Sequence, residues 1–225
     1  MRTPLDLRAA ALIASAACVL GACASPEPRY YTLACAHELD GAAAIAPIAV
    51  HGSEAIAIEV SPVRVPERLN RPQLMLNNND GTLRLLEQDR WAAPLPDELR
   101  EGLSRQLERQ LGAVDTYRKT AFGKTPAYRV SAELGYMDLT PDKRFAGGMQ
   151  WTLQHLADKK IVSGRTRLAV PVDASINAMV QAARRLLSNT AADIAVAARG
   201  MKTTRSTTDA VWIESAGTQS QDESQ

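Results

Sequence analysis

The chain has little of what catalysis and metal binding draw on. Its histidines number three, His37, His51 and His155, in 225 residues. None sits in a His-Glu-x-x-His pattern, and no cysteine pair has zinc-ligand spacing. A Gly-x-Ser-x-Gly elbow is missing. Gly123-Lys124-Thr125 ends like a phosphate-binding loop, but Arg118 stands where its first glycine belongs, and Pro126 and a strand pattern follow instead of a helix. Carboxylates lie scattered among basic neighbours, with no pair set apart as an acid–base couple. An enzyme is therefore not expected, nor is a metal or a small-molecule cofactor. Charge of one sign is lacking too: 26 basic and 25 acidic side chains give a net +1. That balance argues against a nucleic-acid binder and against a polybasic membrane patch. Aromatics make up only 4%, so the core must be aliphatic. Long hydrophobic runs are absent after the first: Ala9 to Leu20 is twelve residues, short of the roughly 20 that span a bilayer.

That run instead reads as part of an export signal. Arg2 and Arg8 supply a positive start, and small residues follow the apolar middle. Its end, Leu20-Gly21-Ala22-Cys23, resembles the bacterial lipoprotein signal. The resemblance implies cleavage before Cys23, a diacylglycerol on its sulfur and acylation of the new N-terminus. Several lipid chains, each contributing about 0.8 kcal/mol per buried CH₂, make a lasting tether. A simple secretory cut near Ala14-Ser15-Ala16 is the alternative. Ala24 and Ser25 lack the Asp that retains lipoproteins at the inner membrane of enteric bacteria, which points to the outer membrane. Loss of Arg2, Arg8 and Asp6 leaves 24 basic and 24 acidic side chains in a mature chain of 203 residues. Cys18 leaves with the signal, so Cys35 is expected as a buried small hydrophobe without a disulfide partner.

The expected organisation is a signal peptide over 1–22, a lipidated linker over 23–29, one domain over 30–200 and a disordered tail over 201–225. Arg29 to Cys35 is β-prone. Residues 36–53 read as a connection, and Ala55 to Val60, apolar on both faces, as an interior strand. Pro62, Pro66 and Pro72 exclude a central strand or helix interior and predict a fixed surface path. Gln73 to Leu86 reads as a hairpin turning at Asp80-Gly81. Asp97 is a candidate cap for a helix to Leu111, striped by Leu99, Leu103, Leu107 and Leu111, with Arg100 outside the stripe and Gly112 as its stop. Tyr128 to Tyr136, Met149 to His155 and Val162 to Val170 alternate as an antiparallel meander, with a loop from Thr140 to Gly148 between the first two. His155 faces the apolar side, as a hydrogen-bonded core residue. Asp173 or Ser175 caps a last helix ending at Gly200. The fold class is α/β: a single mixed, largely antiparallel sheet packed with two main helices, and a flexible C-terminal tail. In the tail Val211-Trp212-Ile213 is an apolar island that could dock to a sheet edge.

Three stretches carry a family resemblance. They are Tyr30-Tyr31-Thr32-Leu33, the run Val60-Ser61-Pro62-Val63-Arg64-Val65-Pro66-Glu67-Arg68-Leu69-Asn70-Arg71-Pro72-Gln73-Leu74, and Arg90-Trp91-Ala92-Ala93-Pro94-Leu95. With the lipobox and the leucine-striped helix, the chain resembles the ABC-type transport auxiliary lipoproteins, and best their PqiC-type members of paraquat-inducible intermembrane transport. Asn70, where the family often has Asp, and Ala93, where an acidic residue is common, depart from it. The resemblance implies a non-enzymatic lipoprotein on the periplasmic face of the outer membrane. It implies partners as well: an MCE-domain tunnel protein with its membrane subunits, outer-membrane lipid through Cys23, and further copies of the chain in a homo-oligomeric ring. No nucleic acid is expected. Two other readings stand beside it, a lipoprotein holding a lipid or solvent in its own pocket and an envelope structural lipoprotein.

Cys23 is the lipidation residue. Arg71, Trp91 and Trp212 are candidates for a partner interface, because Arg and Trp are favoured anchors. The structural alternative, preferred for the first two, has Arg71 tying down the proline-rich path and Trp91 plugging the core beside the hairpin.

Overall fold

The computed structural model describes residues 26–34, 56–78, 80–117, 125–140, 144–173 and 175–219, with side chains as far as Met201 except that of Leu139. Cys23, Cys35, the connection over 36–53 and the side chain of Trp212 lie outside the described residues.

Period-two alternation sets one face of a strand toward the core and one toward water. Three such segments form β6 (Tyr128–Thr140), β7 (Arg144–His155) and β8 (Ile161–Pro171), joined as an antiparallel meander. With β2 (Ala57–Val60) and the short β5 (Val114–Asp115) they make a five-stranded sheet in the order β5-β2-β6-β7-β8. β2 is interior, paired in parallel with both neighbours, and buries Ala57, Ile58 and Val60. A second, three-stranded sheet has the order β1-β4-β3, from β1 (Arg29–Tyr31), β4 (Leu83–Trp91) and β3 (Gln73–Asn77). β3 and β4 are the expected hairpin, turning at Gly81 with φ +86°. The mixed α/β class with two helices holds, but the single sheet is two. β1 pairs with β4 from sixty residues away, a choice of neighbour that alternation does not encode.

The expected loop from Thr140 to Gly148 is cut short, because β6 runs to Thr140 and β7 already begins at Arg144. Gly147 and Gly148 belong to β7, where they give room to larger groups. A Cβ on Gly147 would lie 2.8 Å from a methyl of Leu186, and one on Gly148 would lie 2.6 Å from the Tyr136 ring. A bulge between Leu134 and Tyr136 brings that ring across the strand. Glycine inside these strands marks close approach, not a turn.

Helix α1 (Leu95–Leu111) starts two residues before the expected cap. Pro96 sits in the first turn, where a missing N–H costs nothing. No side chain caps the helix, so Asp97 is a first-turn acid favoured by the helix dipole. Gly112 ends it with φ +59°. Helix α2 (Ile176–Gln219) opens under Ser175, whose Oγ accepts from the Ala178 N–H at 3.1 Å. It does not stop at Gly200, which lacks the positive φ that Gly112 adopts; the backbone beyond Met201 is helical as far as Gln219.

The core lies between the inner face of the five-stranded sheet and the two helices. Leu99, Leu103 and Leu107 of α1, and Met179, Leu186, Ala191 and Ile194 of α2, pack with Leu134, Phe145, Met149 and Leu153. Its contents are mostly aliphatic, as the scarcity of aromatics leads one to expect, with Trp91, Tyr128, Phe145 and Trp151 as the buried aromatics. His155 is partly buried at the rim, with Nδ1 2.7 Å from Asp158 Oδ1 and its ring 5.0 Å from that of Tyr128.

Arg100 corrects the reading of α1. Expected outside the leucine stripe, it is only 3% exposed and paired with buried Asp115. Its Nε also donates to the Val60 carbonyl at 3.2 Å, and its guanidinium lies 4.6 Å from the centre of the Tyr117 ring. Asp115 further accepts from Ser104 Oγ at 2.8 Å and from the Val60 and Tyr117 N–H groups. One buried ion pair thus joins α1, β2 and β5, with its lone pairs satisfied as such pairs require.

Candidate functional site

Proline fixes φ and removes a donor, so a chain holding several must find its hydrogen bonds between them. The path after β2 does so along β6. Ser61 N–H donates to the Val130 carbonyl at 2.9 Å, Arg64 N–H to Ala132 at 3.1 Å, and Leu134 N–H returns to Arg64 at 2.8 Å. A 3-10 turn over Glu67–Leu69 follows, with Val63 and Leu69 buried as pegs. The path is therefore fixed, as expected, but anchored in the core as well as lying on the surface. It then meets the end of β4, where Trp91 N–H donates to the Pro72 carbonyl at 2.8 Å.

That junction makes a groove of about 350 Å³, open to solvent and lined by Asn70, Arg71, Pro72, Trp91, Ala92, Ala93 and Pro94. Arg71 and Trp91, twenty residues apart in the chain, come together there. They play different parts. Trp91 is 4% exposed and forms the floor; against it lies a gap of about 10 Å³ among Leu69, Gln73, Met75, Leu95, Met137 and Met179. It closes the core beside the hairpin, as the structural alternative held. Arg71 is exposed, and its side chain makes no hydrogen bond or ion pair among the described residues. Its backbone N–H, bonded to Leu69 O at 2.9 Å, holds the path; its guanidinium ties down nothing. The groove pairs largely apolar walls with Arg71, a cation without an ion-pair partner among the described residues. Trp212 is not placed by the described side chains, and Cys23 lies outside them.

Beside the groove runs the segment that follows Cys23. Ala92 N–H donates to the Tyr31 carbonyl at 2.7 Å, joining β1 to the groove wall. Three charged side chains from three elements grip this segment. Asp89 of β4, 5% exposed, accepts from Tyr31 Oη at 2.9 Å and pairs with Arg29 at 2.8 Å. Glu98 of α1 accepts from Thr32 Oγ1 at 2.7 Å and from the Leu33 N–H at 2.6 Å. Arg184 of α2 donates to the Thr32 carbonyl at 2.7 Å. Burial, then the bond to Asp89, raises the Tyr31 hydroxyl's pKa. Asp89, Glu98 and Arg184 escaped the reading of the sequence because each resembles an ordinary surface charge.

Among the described residues no cluster of three or more His, Cys, Asp or Glu could hold a metal ion. Among them, too, no helix is long and apolar enough to cross a membrane. The perturbed acids are local turn formers: the His155 contact, then the Lys160 N–H, lowers the pKa of Asp158, and Thr82 lowers that of Asp80.

A family model described as the ABC-type transport auxiliary lipoprotein component matches residues 37–195. No curated protein matches the sequence. Among the solved structures that match, two illustrate the shared fold. One, a crystal structure of an uncharacterized protein, is 18% identical with a TM-score of 0.57, over 76% of this chain and 97% of its own. The other, a Xanthomonas campestris protein assigned to DUF330, is 15% identical with a TM-score of 0.53, over 66% of this chain and 89% of its own.

Proposed function

The chain belongs to the ABC-type transport auxiliary lipoprotein family, and from that premise we propose that it is the docking subunit of an MCE-type intermembrane transport system for lipids or other hydrophobic compounds. In this reading it is non-catalytic. Cys23 carries the lipid that holds it to the periplasmic face of the outer membrane. Copies of the chain assemble as a homo-oligomer, and the assembly receives the tip of the tunnel-forming partner.

The observation that carries the reading is the groove at Arg71 and Trp91. Prolines on both walls and a buried tryptophan floor make it preformed, so a partner need not order it on binding. Its unpartnered arginine offers a charge-assisted bond to that partner. The gap beside Trp91 has room for about one water, so a self-contained lipid carrier, the alternative, would have to hold its ligand in the open groove itself.

The test is association of the purified lipoprotein with its MCE-domain partner, followed by light scattering or surface plasmon resonance. Arg71→Glu is expected to weaken binding about tenfold or more, the usual effect of reversing an interface charge, with an unchanged melting temperature. Binding indifferent to this substitution would remove the groove from the interface. Native mass spectrometry separates the carrier alternative, which requires a retained ligand mass beyond the Cys23 lipid.

A further inference from the structure

β8 is the last strand of its sheet and pairs on one side only, with β7. Along its other side the outward N–H and C=O groups have no strand neighbour among the described residues. It is eleven residues long, about twice the usual strand. Its pairing carries no bulge, and no proline interrupts it before Pro171. Sheets normally blunt such an edge, because it is a template for another strand.

What this edge carries is charge of one sign. Burial alternates along β8, so Thr166, Leu168 and Val170 face inward while Arg165 and Arg167 are exposed on the outer face. Elsewhere on that face Arg129 is matched with Glu59 at 3.0 Å and Arg64 with Glu133 at 3.1 Å, while exposed Arg144, opposite Pro171, adds a further cation with no ion pair among the described residues. Arg165 and Arg167 have no ion pair among the described residues. Their neighbours on β7 are Gln150 and Gly148, which offer no carboxylate. Ile161, 60% exposed, adds an apolar foothold at the start of the strand.

This pattern selects the occupant. A second copy pairing antiparallel along the whole strand would centre on Thr166. Each Arg165 would then stand opposite the other copy's Arg167, and like charges directly opposite destabilise a strand pair. A strand with acidic residues at alternate positions would meet both arginines on one face while its backbone bonds to the open edge. We infer that the free edge of β8 docks an extended acidic segment of another polypeptide as a sixth strand. The inference rests on β8 alone and is independent of the groove, the tether and the identity of the transporter.

The full-length protein is titrated with a peptide of about ten residues alternating Glu and Val, with its Lys/Val counterpart, and with the Glu/Val peptide N-methylated throughout. The Glu/Val peptide is expected to bind about tenfold or more tightly than either of the others, since several cross-strand charge pairs and the ladder bonds add. Amides of β8 should gain hydrogen-exchange protection with that peptide alone. The double variant R165E/R167E should reverse the preference toward Lys/Val at an unchanged melting temperature. Equal binding of the N-methylated peptide, binding without protection of β8, or an unreversed preference would each overturn the proposal. Binding of the protein to phosphatidylglycerol vesicles in place of the peptide would instead assign the arginines to a membrane surface. A β8-to-β8 cross-link between copies would assign the edge to self-association.

Discussion

Arg71 and Trp91 share a groove, yet substitution should separate them. Trp91→Ala opens a cavity beneath the groove, at a cost of about 3–5 kcal/mol, read in urea denaturation. Arg71→Ala touches no packed group and should leave stability within about 0.5 kcal/mol, so any change belongs to binding. Arg100 is the opposite of Arg71, a cation whose value lies inside. Arg100→Ala strands the buried Asp115 carboxylate and is expected to cost about 3–5 kcal/mol. At the rim, the depressed pKa of Asp158 gives stability that is present above the unfolded carboxylate pKa of about 4. It is lost as pH falls through the lower folded value. Asp158→Asn should therefore flatten the acid side of the stability profile below about pH 4, measured by thermal melting across pH. Arg71 was legible as a residue type suited to interfaces. Arg100 was not, because a charge beside a leucine stripe normally faces water. The available signal was the small pair Gly102 and Ser104 beside the stripe, which widens the buried arc of α1.

Among elements, the meander shows what patterning specifies and what it leaves open. Alternation set the faces of β6, β7 and β8, because burial of one face is a property of each strand by itself. It did not set the partner of β1 or the division into two sheets, which depend on contacts across sixty residues. Gly147 and Gly148 were read as a loop because glycine weakens any strand pattern; their role depends on the rings and methyls beside them. Gly164 is a sharper case. A Cβ there would lie 2.2 Å from the Trp151 ring, whose Nε1 donates to Thr166 Oγ1 at 3.3 Å. Gly164→Ala must move a buried indole, so a loss of about 1–3 kcal/mol is expected, seen as a lower urea midpoint with an unchanged slope. The groove was half legible: the prolines and Trp91 stood out, but their meeting follows from the bond between Trp91 N–H and the Pro72 carbonyl.

At the scale of the whole molecule, the proposal makes position part of function. Cys23→Ala is expected to leave melting of the domain unchanged and to abolish transport activity in cells, measured as loss of resistance to a membrane-permeant toxin. Full rescue by the unlipidated form would make the tether incidental. The segment that follows Cys23 has a further property, which is mechanical. β1 runs parallel to β4, so a pull along it toward the N-terminus loads their shared hydrogen bonds together, in shear. The bonds to Asp89, Glu98 and Arg184 then carry the force onward into β4, α1 and α2. A chain held this way resists detachment as a bolted joint does and not as a zipper. The groove wall, joined to Tyr31 through Ala92, keeps its place when the segment beside it is pulled.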